Sequence, residues 1–145
     1  KAVTMGVEFS TTYKIGEQTS AYTNITLLSR KETYGTFTTT DTGTPSIFGQ
    51  LGVKYEGEGE IFTSYYIDSY IRSSANSDVS YANGSQEQYN SWKTFNIAFG
   101  STFGNEENYQ LNMELSNIFN ESYMPATDSL LAAGRSAMLK LTINF

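Results

Sequence analysis

The feature that most constrains this chain is a strict alternation of apolar and polar residues in two segments close to its end. From Tyr109 to Ser116 the apolar residues Tyr, Leu, Met and Leu alternate with Gln, Asn, Glu and Ser, and a similar alternation runs from Ala137 to Phe145. A period of two places successive side chains on opposite faces of a β-strand and does not suit a helix. The sequence therefore predicts two strands, each with one apolar and one polar face.

Five earlier segments show the same pattern, less strictly in places, and predict five more strands. They are residues 3–14, 21–30, 47–55, 61–72 and 92–103. Strands of roughly ten residues have the length that a tilted strand needs to cross a bilayer. No apolar run approaches the roughly 20 residues of a membrane helix, and only a closed barrel satisfies a strand backbone within lipid. The expected fold is all-β, a transmembrane antiparallel β-barrel.

The predicted connections alternate between short and long, which assigns them to the two sides of a membrane. Outer-membrane barrels have short periplasmic turns and longer exterior loops. Short turns are expected near Gly16, Gly57 and Asn105, and long exterior loops at residues 31–46, 73–91 and 124–135. The chain also has 11 Tyr and 9 Phe, and many Tyr flank the apolar segments, as in an interfacial aromatic girdle.

The last third of the chain carries a family resemblance. The runs LSNIFNESY and AGRSAMLKLTINF resemble the C-terminal signature of TonB-dependent outer-membrane receptors, in which an Asn-(Leu/Ile)-Phe-(Asn/Asp) motif and a Tyr precede a loop ending in Pro-Gly-Arg and a last strand ending in Phe. The matching residues are Asn117, Ile118, Phe119, Asn120, Tyr123, Gly134, Arg135 and Phe145, whereas Ala133 stands where the family usually has Pro. The opening run through Gly6, Val7 and Glu8 is similar to a strand start in the C-terminal third of these barrels.

This resemblance implies a domain organisation. Residues 1–145 would form the C-terminal segment of the barrel, about seven strands of a barrel of about 22. The N-terminal plug domain of such receptors is expected to lie outside this chain. The remainder of the barrel and the plug, in the same protein or in a second chain, are therefore expected partners.

The resemblance also implies a function, the energy-coupled import of a nutrient across the bacterial outer membrane. The further partners would be outer-membrane lipid, a TonB complex that acts through the N-terminal part of the receptor, and a small-molecule or protein-borne nutrient outside the cell. A ferric siderophore or haem is the first candidate for that nutrient. Two other classes stay open: a small self-contained outer-membrane barrel that acts as an adhesin or structural porin, and a secreted β-sandwich binding module.

Composition argues against catalysis and against nucleic acid as a partner. The chain has no His and no Cys, which removes the commonest general base and any thiolate ligand. Its net charge of −6 offers no basic stripe for nucleic acid. Glu56, Glu58 and Glu60 fall in a predicted tight turn and are interpreted as solvated charge, and the acidic residues of the long loops lack the spacing of a calcium loop. We expect no enzymatic activity, no cofactor and no metal site.

Strand parity assigns side chains to the two faces of the predicted barrel. Glu8, Asp68 and Glu114 are expected on the polar face, where each is hydrated or paired with a cation. The candidate cations are Lys14, Lys54, Lys93 and Arg72. The residues expected to face lipid in the last three strands are Phe95, Ile97, Phe99, Leu111, Met113, Leu115, Leu139, Leu141 and Ile143.

The candidate binding residues are aromatic and apolar side chains in the three long loops. They are Tyr34 and Phe37 in the first loop, Tyr81 and Tyr89 in the second, and Met124 with the apolar run Leu130, Leu131 and Ala132 in the third. Such side chains stack on a siderophore, haem or sugar or contact a protein, and they equally pack loops against one another. Phe145 is expected to serve barrel assembly, because a terminal aromatic residue on an alternating strand resembles the insertion signal of outer-membrane barrels.

Overall fold

The computed structural model of the chain describes residues 1–104, 107–125 and 130–144. Within these residues the chain forms ten β-strands and no α-helix, so the prediction of an all-β fold is confirmed. The strands are β1 Ala2–Lys14, β2 Thr19–Tyr34, β3 Phe37–Thr39, β4 Ile47–Gly57, β5 Ser64–Ser74, β6 Ser77–Ser80, β7 Gln86–Tyr89, β8 Trp92–Phe103, β9 Tyr109–Ser116 and β10 Ser136–Ile143. In these ranges no helical segment has the length and apolar character of a membrane span.

The long strands form one antiparallel sheet in which each strand pairs with its neighbours in chain order. The path of the sheet is β1-β2-β4-β5-β8-β9-β10, and the short β3 pairs with β2. These seven long strands lie where the alternation of residues predicts them, so their existence and their antiparallel pairing are confirmed. The sheet is not closed: β1 and β10 are its two edges in the part of the chain that the structure describes.

One strand begins later than its sequence pattern predicts. The strand expected from Ile61 starts at Ser64. The reason is a turn in which the N–H of Gly59 donates to the carbonyl oxygen of Phe62 at 2.9 Å. The Phe62 ring then packs edge-on against Phe99, with 5.9 Å between ring centroids. Packing of one aromatic side chain therefore lengthens the expected tight turn to residues 58–63.

Two of the predicted long loops contain β-structure that the sequence reading missed. β2 continues to Tyr34 and pairs with β3 across a turn at Gly35, whose φ of 61° is in the left-handed region. β6 and β7 form a separate two-stranded sheet around a turn at Gly84, with a φ of 84°. The Asn83-Gly84 dipeptide is a strong hairpin signal. Because the residues on either side are mostly polar, the alternation of apolar residues did not reveal these short strands.

The strand registers divide the side chains of the sheet between two contrasting faces, because residues paired across antiparallel strands share a face. The apolar face carries Leu51, Ile71 and Phe95 in one such row, and the polar face carries their neighbours along each strand. Every charged residue of the seven long strands lies on the polar face except Lys31 and Lys93. Charge is therefore segregated from apolar surface across the whole sheet.

No second layer covers the apolar face in the part of the chain that the structure describes. None of the described large hydrophobic side chains is buried, and Val7, Leu51 and Leu139 are 65%, 59% and 67% exposed. The buried side chains are polar, such as Thr94 and Asn96 on the polar face. A soluble sheet buries its apolar face against another layer. In this single-layer sheet the opposite holds, because the apolar side chains are exposed and the buried side chains are polar.

The Asn-Ile-Phe-Asn motif ends β9 and fixes the start of the third long loop. Asn117 has a φ of 52° and is only 4% exposed. Its side-chain oxygen accepts the N–H of Glu121 at 2.8 Å, and its amide nitrogen donates to the carbonyl oxygens of Glu121 and Ala133 at 2.8 and 3.3 Å. One side chain therefore satisfies backbone groups on both sides of the loop.

A second asparagine of the motif adds a further link across the same loop. The side-chain oxygen of Asn120 accepts the N–H of Arg135 at 2.9 Å. A side chain at Gly134 would overlap that oxygen, since an added Cβ would lie 2.7 Å from it. We call Asn117 and Asn120 together the Asn clamp. The clamp joins the ends of the loop and sets where β10 begins.

Candidate functional site

The binding residues predicted in the three long loops lie at the end of the sheet that carries the long connections. Three open clefts lie at this end. The first cleft, of about 500 Å³, lies between the first and second long loops, and the second cleft, of about 740 Å³, lies between the second and third. The third, of about 580 Å³, lies on the polar face of the sheet and is called the polar-face cleft.

The first cleft brings together two of the predicted residues from different loops. Phe37 and Tyr81 both line it, with Lys31 and Asp41. The Tyr81 hydroxyl donates to Glu87 Oε2 at 3.1 Å, and this hydrogen bond raises the pKa of Tyr81 above its ordinary value. The hydrogen bond therefore holds the Tyr81 ring beside the cleft.

The two loops that form the first cleft are tied to each other by hydrogen bonds. The N–H of Ser80 donates to the carbonyl oxygen of Asp41 at 3.0 Å, and the Ser80 hydroxyl donates to Asp41 Oδ2 at 2.9 Å. The N–H of Gly43 donates to the carbonyl oxygen of Asp78 at 2.8 Å. These two backbone bonds and one side-chain bond fix the walls of the cleft without using the Phe37 or Tyr81 rings.

The second cleft brings together Tyr89 and Met124, which were predicted from the second and third loops. Tyr123, the last residue of the run LSNIFNESY, lines the same cleft. Its ring stacks on Trp92, with 4.3 Å between centroids and 25° between planes. The stack fastens the third loop to the start of β8, so the second cleft has one wall anchored on the sheet.

Several of the predicted residues are not brought into these clefts. Tyr34 is 62% exposed and its hydroxyl donates to Glu32 Oε2 beside it on β2. Leu130 is 77% exposed and lines none of the three clefts, although the next residue, Leu131, lines the second. Phe145 lies outside the described residues, and its expected role in barrel assembly stays a prediction.

The carboxylates expected on the polar face are there, but two of them bind tyrosines. Tyr22 donates to both oxygens of Asp68 at 2.9 Å, and Tyr70 donates to Glu114 Oε1 at 2.9 Å. The Tyr22 ring lies over Gly52, which leaves the space that the ring needs to reach β5. These cross-strand bonds form a belt that stiffens the polar face rather than a cluster around a reacting atom.

Glu8, Asp68 and Glu114 were expected to be hydrated or paired with a cation, and none of the three forms an ion pair with the named cations in the described part of the chain. Within the described ranges, the ion pairs join Arg30 to Glu32 and Lys54 to Glu56, each at 2.6 Å. Lys93 lies on the apolar face and cannot reach Asp68 or Glu114. Both ion pairs join residues two positions apart on the same strand. Alternation alone does not show whether a charged residue pairs with such a neighbour or with one on the next strand.

The polar-face cleft was not predicted at all. It is lined by Phe48, Arg72 and Trp92 from three strands, with Pro45 and Pro125 from the loops. These residues come together because the registers of β4, β5 and β8 place Phe48 and Trp92 in one row across the sheet and Arg72 in the neighbouring row. The alternation along each strand could have assigned Phe48, Arg72 and Trp92 to the same face. Which of them become neighbours across the sheet depends on the pairing register.

The acidic residues near Gly57 lie at the opposite, short-turn end. Glu56 and Glu58 line an open polar cleft of about 510 Å³ there, and the side chain of Glu56 is 63% exposed beside Lys54. That exposure agrees with the interpretation of solvated charge. In the residues that the structure describes, no group of three or more His, Cys, Asp or Glu is placed to hold a metal ion.

The clefts at the long-loop end offer aromatic rings, hydroxyl groups and guanidinium groups within reach of solvent. Such groups hold a ligand by stacking, hydrogen bonding and charge. No family model matches this chain, and neither a curated protein nor a solved structure matches it.

Proposed function

We propose that this chain is the C-terminal part of a transmembrane β-barrel in the bacterial outer membrane and belongs to a TonB-dependent receptor that imports a nutrient. A ferric siderophore or haem is the first candidate for that nutrient. The observation that carries the proposal is the apolar face, which no other described layer covers. The charged residues of the long strands, apart from Lys31 and Lys93, occupy the opposite face. Lipid is the partner that such a face fits.

The lengths of the strands support this proposal. β4 and β5 have 11 residues each, and β8 has 12. A strand tilted by about 45° needs about 9–11 residues to cross the hydrocarbon core. These three strands, and β1 and β2 with 13 and 16 residues, therefore suit a bilayer, whereas β9 and β10 have 8 residues each. All seven exceed the usual strand of about 5–6 residues in a soluble sheet.

An aromatic row at the short-turn end marks one edge of the apolar band. On the apolar face, Tyr55 lies 6.0 Å from Tyr65, and Phe103 stacks on Tyr109 at 5.3 Å between centroids. Tyr13 occupies the corresponding end of β1. Rings with a polar tip favour the boundary between lipid and water. The predicted girdle is therefore supported at this end, whereas the long-loop end has no Tyr on the apolar face of the described strands.

The two cations of the apolar face also fit a membrane boundary. Lys31 and Lys93 both lie near the long-loop end of their strands. An Arg or Lys facing lipid at the midplane of an outer-membrane barrel costs roughly 2–4 kcal/mol, and near the interface almost nothing. Two lysines on a lipid-facing surface are therefore tolerated only if the long-loop end of the sheet lies at the level of the lipid headgroups.

The two edges of the sheet favour a larger barrel over a small self-contained one. Seven strands that alternate in direction leave β1 and β10 parallel to each other. Bacterial outer-membrane barrels close through antiparallel pairs with an even strand number. Additional strands from the remainder of the barrel would satisfy both edges, and the polar face would enclose the lumen and the plug. A secreted β-sandwich would need a layer over the apolar face.

The test separates membrane insertion from transport. We expect the full-length protein in the outer-membrane fraction, with a gel mobility that changes on heating. Uptake of radioactive iron, supplied as haemin or as ferric siderophores from culture medium, should fall when the gene is deleted and when TonB is deleted. A soluble protein without a heat-dependent shift would refute the barrel, and uptake that persists without TonB would refute the transport mechanism alone.

A further inference from the structure

The polar-face cleft has a floor made of two rows of side chains that continue across the strands. The register aligns an inner row of Asn24, Gln50 and Arg72, and an outer row of Thr26, Phe48, Ser74 and Trp92. The inner row is polar and carries a cation, whereas the outer row carries two aromatic rings. The cationic row and the aromatic row therefore lie side by side across β4 and β5.

Arg72 is a cation without an acidic neighbour on this floor. Its cross-strand partners are Gln50 and Thr94, and its neighbours on the same face of β5 are Tyr70 and Ser74. Within the described part of the chain Arg72 enters no ion pair, because the two that exist join other residues. Its five N–H donors are therefore available to an anion.

The other arginine of the cleft is already neutralised. Arg30 donates through Nε to Glu32 Oε1 at 2.8 Å, and its terminal nitrogen lies 2.6 Å from the same oxygen. Arg72 therefore supplies the net positive charge of the polar-face cleft. A single planar guanidinium matches one carboxylate in bidentate geometry.

The aromatic side of the cleft is held in place. Stacking on Tyr123, with 4.3 Å between centroids, restrains Trp92, and Phe48 remains 38% exposed on the next strand but one. Pro45 and Pro125 add rigid apolar walls from the first and third loops. A flat apolar group placed against these rings would have its polar end beside Arg72.

We propose that the polar-face cleft binds an organic anion with a flat apolar body, such as an aromatic carboxylate. The carboxylate is held by Arg72, and the ring packs against Trp92 and Phe48. This inference rests on the proposed function, because it names the class of substrate that a receptor would accept at its polar face.

The experiment compares naphthoate with naphthylmethanol, which has the same ring and no charge. Equilibrium dialysis with the full-length protein in detergent micelles measures the Kd of each probe. We expect naphthoate to bind more tightly, and Arg72→Gln to weaken naphthoate about tenfold or more, which corresponds to the loss of a charge-assisted hydrogen bond. Naphthylmethanol should be unaffected by Arg72→Gln and weakened by Trp92→Leu.

Lys140→Gln is the matched control, since Lys140 is a cation on the same face in β10 and does not line the cleft. Equal weakening by Lys140→Gln and Arg72→Gln would show only a general effect of charge and would overturn the inference. So would equal affinity of the wild-type protein for the two probes, a comparison that needs no variant to fold. Heat-dependent gel mobility of the same samples reports barrel assembly, so a failure of the proposed function is recognised separately.

Discussion

At the scale of single residues, Asn117 shows why the last hairpin depends on an amide side chain. Its φ of 52° lies in the left-handed region, which Asn tolerates better than most side chains. The same residue is buried and bonds backbone groups of Glu121 and Ala133. The motif that resembles the receptor family thus has a structural reason in this chain, namely the closure of the third long loop.

Replacement of Asn117 by Ala tests the Asn clamp. The change leaves a left-handed backbone and removes the side-chain partner from three part-buried hydrogen bonds to backbone groups, so we expect a loss of about 1–3 kcal/mol in the free energy of unfolding. Urea unfolding of the protein refolded into lipid vesicles measures it. Asn112→Ala is the control, because Asn112 lies on the polar face of the adjoining strand. Equal losses of unfolding free energy in the two variants would mean that the Asn clamp does not stabilise the protein.

A second residue-scale prediction concerns Gly49, where β2 and β4 approach closely. A Cβ at this position would overlap the backbone carbonyl oxygen of Asn24, and a backbone group cannot rotate away. Gly49→Ala is therefore expected to destabilise the sheet by about 1–3 kcal/mol, the usual cost of overpacking. A Cβ at Gly16 meets nothing within 4 Å, so Gly16→Ala is the control in the same unfolding assay. A stability loss in both variants would contradict this account.

At the scale of strands, the alternation of apolar and polar residues predicted where the long strands lie, whereas the pairing register decides which residues of different strands become neighbours. The pattern of apolar residues located the seven long strands and the face of each side chain, because parity along a strand is a local property. It missed the β6–β7 hairpin, whose strands are polar, and it misplaced the start of β5, which the packing of Phe62 decides. It also missed the cleft around Arg72, since which residues become level across strands depends on pairing between distant segments.

Adjacent positions on β9 test the assignment of the two faces. Met113 lies on the apolar face and Asn112 on the polar face. Met113→Arg is expected to cost roughly 2–4 kcal/mol in a bilayer, whereas Asn112→Arg should cost far less because its side chain stays in water. The same vesicle unfolding assay compares them. A larger loss from Asn112→Arg would mean that the apolar face does not contact lipid.

At the scale of the whole molecule, the short and long connections give the sheet two unlike ends. The long-loop end carries the three candidate clefts and the cations Lys31 and Lys93, whereas the short-turn end carries the aromatic row around Tyr55 and Tyr65. The candidate clefts and the aromatic row are thus separated along the strands. Under the proposed function, the first should face the medium and the second the periplasm.

This orientation predicts where a protease reaches the protein on living cells. Residues 130–133 form no strand, and Leu130 and Leu131 are 77% and 65% exposed at the long-loop end. Ile61 is 80% exposed in the connection at the short-turn end. Proteinase K added to intact cells should therefore cut near Leu130 and leave Ile61 uncut, because unpaired exposed segments are the preferred sites of nicking.

The comparison with permeabilised cells completes the experiment. Once the outer membrane is opened, cleavage near Ile61 should appear, and fragments can be assigned by mass. The first and second long loops should resist longer than the third, since their hairpins and the Ser80–Asp41 bonds pair much of their backbone. Cleavage near Ile61 on intact cells, with Leu130 protected until permeabilisation, would require the opposite orientation and would move all three clefts to the periplasmic side, where an external nutrient could not be captured first.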